Sequence, residues 1–171
     1  MQRLARREPD LLVIGVDANA DGLRDASRRA ARAGENALFG RMALDAAPGE
    51  LAGIAHSLTV LLPWGSLLGA LARPDPTALV RLTELCRPGA EIRVVLGYDS
   101  HADAAAIRDL ALPPLEPGAL AARYREAGLA ATARGLAIDE VRALPTTWAK
   151  KLAFSGKDRR FVEVSAIARA R

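Results

Sequence analysis

The two tryptophans are the residues whose surroundings best suit binding chemistry. The chain contains only these two, Trp64 and Trp148. Trp64 lies in Leu-Leu-Pro-Trp-Gly-Ser-Leu-Leu (residues 61–68), where a buried strand is expected to stop at Pro63. Open α/β sheets bind their ligands at the carboxyl ends of the strands. An exposed aromatic ring at that place can stack on a nucleic-acid base, which contributes about 1–3 kcal/mol per base.

Trp148 has positive charge close by in the sequence. It lies in Thr-Thr-Trp-Ala-Lys-Lys-Leu-Ala-Phe (residues 146–154), just ahead of a basic tail. Seven basic residues occur between positions 150 and 171, and only Asp158 and Glu163 oppose them. Such a cluster is favourable for contacts with phosphates. The aromatic and basic residues together predict a flat, anionic substrate such as a nucleic-acid base.

Each of these residues also has a purely structural interpretation. Trp64 could be a core indole, although its neighbours favour a turn. Trp148 and Leu152 are four residues apart, which would place both on one buried helix face. Ser66 either caps the following helix or binds a ligand, and capping is the more common role.

Two acidic residues stand where a nucleoside could be recognised. Asp17 ends the apolar run 11–16, and an acid at that place can accept hydrogen bonds from ribose hydroxyls. It could equally cap the helix that begins near Asn19. Asp45 follows the next short strand, where an acid can meet an adenine amino group, or it is an ordinary solvated loop carboxylate.

Three arginines cluster late in the first full helix. Arg28, Arg29 and Arg32 could form a phosphate-binding patch. Asp25 lies three and four residues before Arg28 and Arg29, so these side chains could instead pair on a solvated surface. The sequence leaves both interpretations open.

Composition restricts the class of protein. A chain of 171 residues, half of them apolar, predicts one globular domain over residues 1–171. The single cysteine, Cys86, excludes an internal disulfide and is expected to be a small buried residue. His56 and His101 have no partners at metal-ligand spacing, so no metal is expected. We find no membrane span, signal peptide or Ser/His/Asp set, and we expect a cytoplasmic protein.

Strands and helices alternate along the chain, which predicts an α/β fold with a largely parallel sheet. Strands are predicted at residues 11–16, 37–40, 57–62, 91–97, 129–136 and 160–168. Helices are predicted at residues 1–7, 19–33, 66–71, 76–86, 103–110, 117–127, 139–144 and 146–154. The turn 87–89 precedes the fourth strand, and the last two strands are expected to form an antiparallel pair.

The two tryptophan segments, 61–68 and 147–154, together resemble the aminoglycoside-resistance 16S rRNA (adenine(1408)-N(1))-methyltransferases, the Kam family. The resemblance runs from about Leu4 to about Arg169. It implies a class I (Rossmann-like) S-adenosylmethionine-dependent methyltransferase fold. The implied reaction is methylation of N1 of an adenine in the ribosomal decoding site, with the 30S subunit as partner, no metal, and a monomeric enzyme.

The resemblance also implies a role for individual residues. Trp64 and Trp148 would hold the flipped target adenine. S-adenosylmethionine would be bound by Asp17, Ala43, Leu44, Asp45, Leu62, Ser66 and Thr146, with Asp45 in place of the family's usual glutamate. The rRNA backbone would be contacted by Arg28, Arg29, Arg32, Lys151, Lys157, Arg159 and Arg160.

One part of the family pattern is absent from this sequence. The family begins with a strand and a loop of the type Asp-x-Gly-Thr-Gly-Asp-Gly, and neither is found here. We therefore expect a chain truncated at its N-terminus, without the strand that would lie between 11–16 and 57–62. The expectation is weak binding of S-adenosylmethionine, which calorimetry tests. A catalytically inactive rRNA-binding remnant and a small-molecule methyltransferase are the alternative functions.

Overall fold

The structure of the protein is a computed structural model, which describes residues 2–34, 36–154 and 159–169. The chain forms two compact units, Met1–Ala47 and Pro48–Arg171. We describe each unit by itself. No helix among the described residues is long and apolar enough to cross a membrane.

The first unit is a small βαβ arrangement. Its elements are α1 (Gln2–Arg7), β1 (Val13–Asp17), α2 (Asp21–Arg32), β2 (Ala37–Arg41) and a 3₁₀ turn (Leu44–Ala46). Strands β1 and β2 pair in parallel, and Val13 lies opposite Ala37. Small side chains form the core of this unit, which contains Ala5, Val13, Ala30 and Ala37, with Phe39 packed against them.

One face of the β1–β2 sheet is open. The sequence predicts a buried strand at 11–16, but Ile14 is 40% exposed and Val16 is 46% exposed. Leu38, opposite Ile14 in β2, is 57% exposed. The prediction of burial is wrong for this face because the core of the unit lies on the other side of the sheet, and side chains alternate between the two faces.

The second unit contains a four-stranded sheet in the order β3-β4-β6-β5. Its strands are β3 (Ala55–Leu61), β4 (Cys86–Tyr98), β5 (Ala131–Gly135) and β6 (Arg160–Ile167). Its helices are α3 (Gly65–Ala72), α4 (Pro76–Leu85), α5 (Ala104–Asp109), α6 (Pro117–Glu126), α7 (Ile138–Ala143) and α8 (Thr147–Ala153), besides a 3₁₀ turn at Gly49–Leu51. Most of the predicted elements are confirmed within a few residues.

This sheet is mixed rather than largely parallel. Strands β3 and β4 are parallel, whereas β6 runs antiparallel to both of its neighbours. The predicted antiparallel pair at the end of the chain is therefore confirmed. The predicted turn at residues 87–89 lies inside β4, which begins at Cys86 and contains a positive φ of 81° at Gly89.

Strand β4 is the centre of this unit. It has a strand on each side, and Val94, Val95 and Leu96 are at most 1% exposed. Tyr124 in α6 is also fully buried, and its hydroxyl donates to the Leu71 carbonyl at 3.0 Å. Burial raises the pKa of the Tyr124 hydroxyl, which therefore remains a neutral donor. These large buried side chains give the second unit a well-packed core.

Candidate functional site

The turn after β3 presents Trp64 to solvent. The Leu62 N–H donates to the Val95 carbonyl at 2.8 Å, which holds the end of β3 against β4. Leu62 has a φ of 51°, a strained conformation for a leucine, and its side chain is buried. Trp64 has extended backbone, is the N-cap residue of α3, and is 50% exposed. Its indole is thus available to a ligand, as the sequence predicts.

Helix α8 presents the second tryptophan. The Trp148 backbone N–H donates to Oγ1 of Thr146 at 3.2 Å, so Thr146 is the N-cap of this helix. Trp148 is 43% exposed, whereas Ala149 and Leu152 are buried. The interpretation of Trp148 and Leu152 as one buried face is therefore wrong. Of these two residues, Leu152 is buried and Trp148 is exposed.

One hydrophobic cluster connects the two tryptophan segments. Leu62, two residues before Trp64, packs in the same cluster as Ala149, the residue after Trp148. Val95 of β4 and Phe161 of β6 belong to it as well. The segments that carry the two tryptophans therefore pack into a single buried core.

A buried ion pair lies at the start of β6. Arg159 is 9% exposed, and its Nη1 lies 2.7 Å from Oδ2 of Asp103. The same carboxylate oxygen accepts from the Asp99 backbone N–H at 2.9 Å. The resemblance implies that Arg159 contacts rRNA, but its guanidinium is buried and instead holds the turn that follows β4 through Asp103. Asp103 is a residue that sequence reasoning missed, because the pairing partners are 56 positions apart.

The other predicted rRNA contacts of this unit differ in their surroundings. Lys151 is exposed on α8. Arg160 is ion-paired with Glu116, the residue before α6. Lys157 lies outside the described residues.

The first unit brings its predicted cofactor residues to one edge. The Asp17 carbonyl at the end of β1 accepts from the Met42 N–H at 3.0 Å, which sets residues 43–45 beside Asp17. Asp17, Ala43 and Asp45 are exposed, and Leu44 is half-buried. Oδ1 of Asp17 accepts from the Asn19 N–H at 2.9 Å, while helix α2 begins only at Asp21. Asp17 therefore forms a local turn instead of capping α2.

This edge fits a nucleoside by its chemistry. A carboxylate offers about four acceptor positions, so Asp17 retains acceptors for ribose hydroxyls beside its bond to Asn19. Asp45 is a second exposed acceptor, suited to an amino group. Both acids lie after the carboxyl ends of parallel strands, where α/β folds bind such ligands.

Arg28, Arg29 and Arg32 are exposed on the last turns of α2. Among the ion pairs between described residues, none includes these three arginines. The alternative interpretation, pairing with Asp25, is thus not found among the described residues. Cations on the last turn of a helix are also favourable for its dipole.

Two further polar residues of the second unit, Ser66 and Tyr98, have structural surroundings that define their roles. Ser66 is exposed in the first turn of α3 but is not its N-cap, because Trp64 occupies that position. Burial raises the pKa of Tyr98 to about 12, and its hydroxyl donates to the Pro113 carbonyl. Tyr98 is thus neutral near pH 7, and its hydroxyl is a hydrogen-bond donor within the fold. The described residues contain no cluster of three or more potential metal ligands.

Solved structures of methyltransferases resemble this chain over most of its length. The 16S rRNA methyltransferase KamB superposes with a TM-score of 0.83 at 30% identity, covering 99% of this chain and 82% of that chain. The aminoglycoside resistance methyltransferase NpmB1 gives 0.72 at 35% identity, covering 96% and 80%. The protein is therefore an α/β methyltransferase, and the predicted fold class is confirmed.

The family follows from the sequence. The NpmA family, described as 16S rRNA (adenine(1408)-N(1))-methyltransferase, matches residues 1–168. The enzyme of that name from Escherichia coli is 30% identical over 176 residues, covering 95% of this chain and 79% of the relative. The one from Streptoalloteichus hindustanus is 35% identical over 167 residues, covering 92% and 76%. This chain belongs to the NpmA family, which confirms the resemblance inferred from the tryptophan segments.

Proposed function

We propose that this protein methylates N1 of adenine 1408 in 16S rRNA, with S-adenosylmethionine as the methyl donor, and so confers aminoglycoside resistance. The observation that carries the proposal is the pair of half-exposed tryptophans, Trp64 and Trp148, on segments that share one buried cluster. Membership of the NpmA family supports the same reaction. The whole chain would act as one methyltransferase domain.

The tryptophans act by holding the base. An enzyme that modifies a base takes it out of its stack, and aromatic side chains then replace the lost stacking. Trp64 and Trp148 would contact the adenine and orient N1. Because N1 carries its own lone pair, this attack needs no proton removal at N1. Orientation alone can supply a large part of the acceleration.

Residues of the first unit would hold the donor. Asp17 would accept from the ribose hydroxyls, Ala43 and Leu44 would lie beside the adenine ring, and Asp45 would accept from its amino group. When bound, S-adenosylmethionine supplies a methyl group on a sulfonium, which is electrophilic without a metal.

In the second unit, the family resemblance implies three further donor-binding residues. Leu62, Ser66 and Thr146 would lie near the donor and the adenine. Thr146 also positions Trp148 through the cap of α8. This bond gives Thr146 a role that does not depend on the donor.

The substrate would be the 30S subunit, bound by a monomer in the cytoplasm. In the first unit the exposed cations Arg28, Arg29 and Arg32 would contact rRNA phosphates, and in the second unit Lys151, Lys157 and Arg160 would do so. Arg159 is buried and paired with Asp103, so it would act through the turn that it holds. Such contacts fix the orientation of the protein on the RNA, whereas the two tryptophans select the extruded base.

The experiment is methylation of 30S subunits with labelled S-adenosylmethionine, mapped by primer extension. N1-methyladenine blocks the Watson–Crick edge, so primer extension should stop one nucleotide 3′ of adenine 1408. Trp64→Ala and Trp148→Ala should each reduce the rate at least about ten-fold, since each removes a stacking contact. The control is Val80→Ala on α4, a residue that is 46% exposed and should be neutral. A wild-type protein that leaves adenine 1408 unmodified would refute the proposal.

A further inference from the structure

Phe154 is an exposed aromatic residue that the proposed function does not use. It is the C-cap residue of α8 and is 75% exposed, the largest exposed fraction among the large apolar side chains described. The guanidinium carbon of Arg142 lies over the ring, 4.4 Å from its centroid. A phenylalanine in this position gains little from burial, so the contact with Arg142 is its main described interaction.

Phe154 continues the surface that carries Trp148. Trp148, Lys151 and Phe154 are spaced three residues apart and are all exposed, whereas Ala149 and Leu152 face the core. Residues at this spacing are neighbours on one side of a helix. Six residues span about 9 Å at the helical rise, a distance of one to two nucleotides along an extended strand.

The charges of this surface suit a nucleic acid. Lys150 and Lys151 are exposed on α8, and the sequence of that helix contains no acid. Arg142 forms an ion pair with Asp139 at 3.1 Å, but Asp139 is 91% exposed, so this pair is weak in water. The surface therefore combines aromatic rings with net positive charge, as surfaces that bind single strands do.

We propose that Phe154 and Arg142 form a second stacking site, which binds an unpaired rRNA nucleotide next to the target adenine. The inference rests on the proposed function, because that function supplies an RNA strand at Trp148. Arg142 covers one face of the Phe154 ring, so a base would stack on the other face or on the guanidinium plane. Arg142 would at the same time lie close to a phosphate.

The test compares Phe154 variants in binding to 30S subunits and in methylation kinetics. Phe154→Ala should weaken 30S binding and raise KM for 30S subunits about ten-fold, with kcat nearly unchanged. Phe154→Tyr should retain wild-type values. Phe154→Leu preserves apolar volume without a π face, so it should behave like Phe154→Ala. Arg142→Ala should also weaken 30S binding and raise KM, but by less than Phe154→Ala.

Two measurements keep the result interpretable. Thermal unfolding of each variant should match the wild type, because an exposed ring contributes little to stability. Ile167→Ala, which truncates another exposed apolar side chain, should bind 30S subunits normally. Wild-type binding by Phe154→Ala, or by Phe154→Leu, would overturn the inference.

The outcome is separable from that of the proposed function. If the wild type binds 30S subunits through Phe154 but leaves adenine 1408 unmodified, only the methylation proposal fails. If Phe154→Ala both binds and methylates normally, only the second stacking site fails. A wild type that does not bind 30S subunits would refute both.

Discussion

The two units of the chain stabilise their strands in different ways. In the second unit, β4 lies between two strands, and Val94, Val95 and Leu96 are at most 1% exposed. In the first unit, β1 has β2 as its only partner among the described strands, and Ile14 and Val16 are 40% and 46% exposed. A short apolar strand is therefore buried in the second unit, whereas a similar apolar strand is partly exposed in the first.

The two units also differ in the size of the side chains that they bury. Three of the four core residues of the first unit are alanines, whereas the second unit buries Leu68, Leu71, Leu96 and Tyr124. Burial contributes roughly 25 cal/mol per Å² of apolar surface, so the second unit gains far more. The proposed base-binding tryptophans thus belong to the unit with the larger buried side chains, and the proposed donor-binding acids to the unit with the alanine-rich core.

The largest expected effect is a truncation in the core of β4. Leu96 is fully buried, so Leu96→Ala should lower the free energy of unfolding by about 3 kcal/mol, through lost burial and a cavity. Ile14→Ala on the open face of β1 should cost less than about 1 kcal/mol. Urea denaturation followed by circular dichroism measures both. Equal losses for the two variants would show that β1 is as buried in solution as β4.

A smaller effect is expected at a glycine of the same strand. A Cβ on Gly97 would lie 2.4 and 2.6 Å from two ring carbons of Phe161, which is buried. Gly97→Ala should therefore cost about 2 kcal/mol through overpacking. It should also slow methylation, because the Cβ would press on Leu62, 3.1 Å away.

The first unit offers a matched control for this glycine. Gly40 lies in β2, and a Cβ there would meet nothing within 4 Å. Gly40→Ala should therefore leave the free energy of unfolding unchanged or raise it slightly. If Gly97→Ala were as harmless as Gly40→Ala, the close packing between β4 and β6 would be disproved.

Local sequence signals predicted much of this fold. The alternation of apolar runs with helical periodicity located nearly every helix and strand, and Pro63 marked the turn that exposes Trp64. These features depend on a few neighbouring residues, so they can be read from the chain directly. The positions of Asp17 and residues 43–45 at one edge followed from the rule that parallel strands end on the same side.

Features that depend on distant residues were not predictable. The apolar pattern of β1 is the same whether its second face is covered or open, so the exposure of Ile14 had no signal. The Arg159–Asp103 pair joins positions far apart in sequence. The Arg142–Phe154 contact depends on how α7 packs on α8, which spacing within either helix does not determine.

The smallest expected loss of stability comes from removing the N-cap of α8. Thr146→Ala removes the bond to the Trp148 N–H, so it should destabilise α8 by about 1 kcal/mol. Thr146→Ser retains the hydroxyl and should restore most of that loss. The variant to compare in the first unit is Asn19→Ala, which lies just before Ala20, the N-cap of α2, and whose Oδ1 accepts from the Asp21 N–H at 3.0 Å.

Hydrogen exchange separates the Thr146→Ala and Asn19→Ala variants. In Thr146→Ala, faster exchange should be confined to the first turn of α8, and methylation should slow because Trp148 is less well positioned. In Asn19→Ala, faster exchange should be confined to the first turn of α2, with no change at α8. A Thr146→Ala protein with normal α8 exchange but slow methylation would contradict the capping role, since the hydroxyl would then act on a ligand. Thr146→Ser should retain normal exchange if the cap orders Trp148, because a serine hydroxyl can accept the same bond.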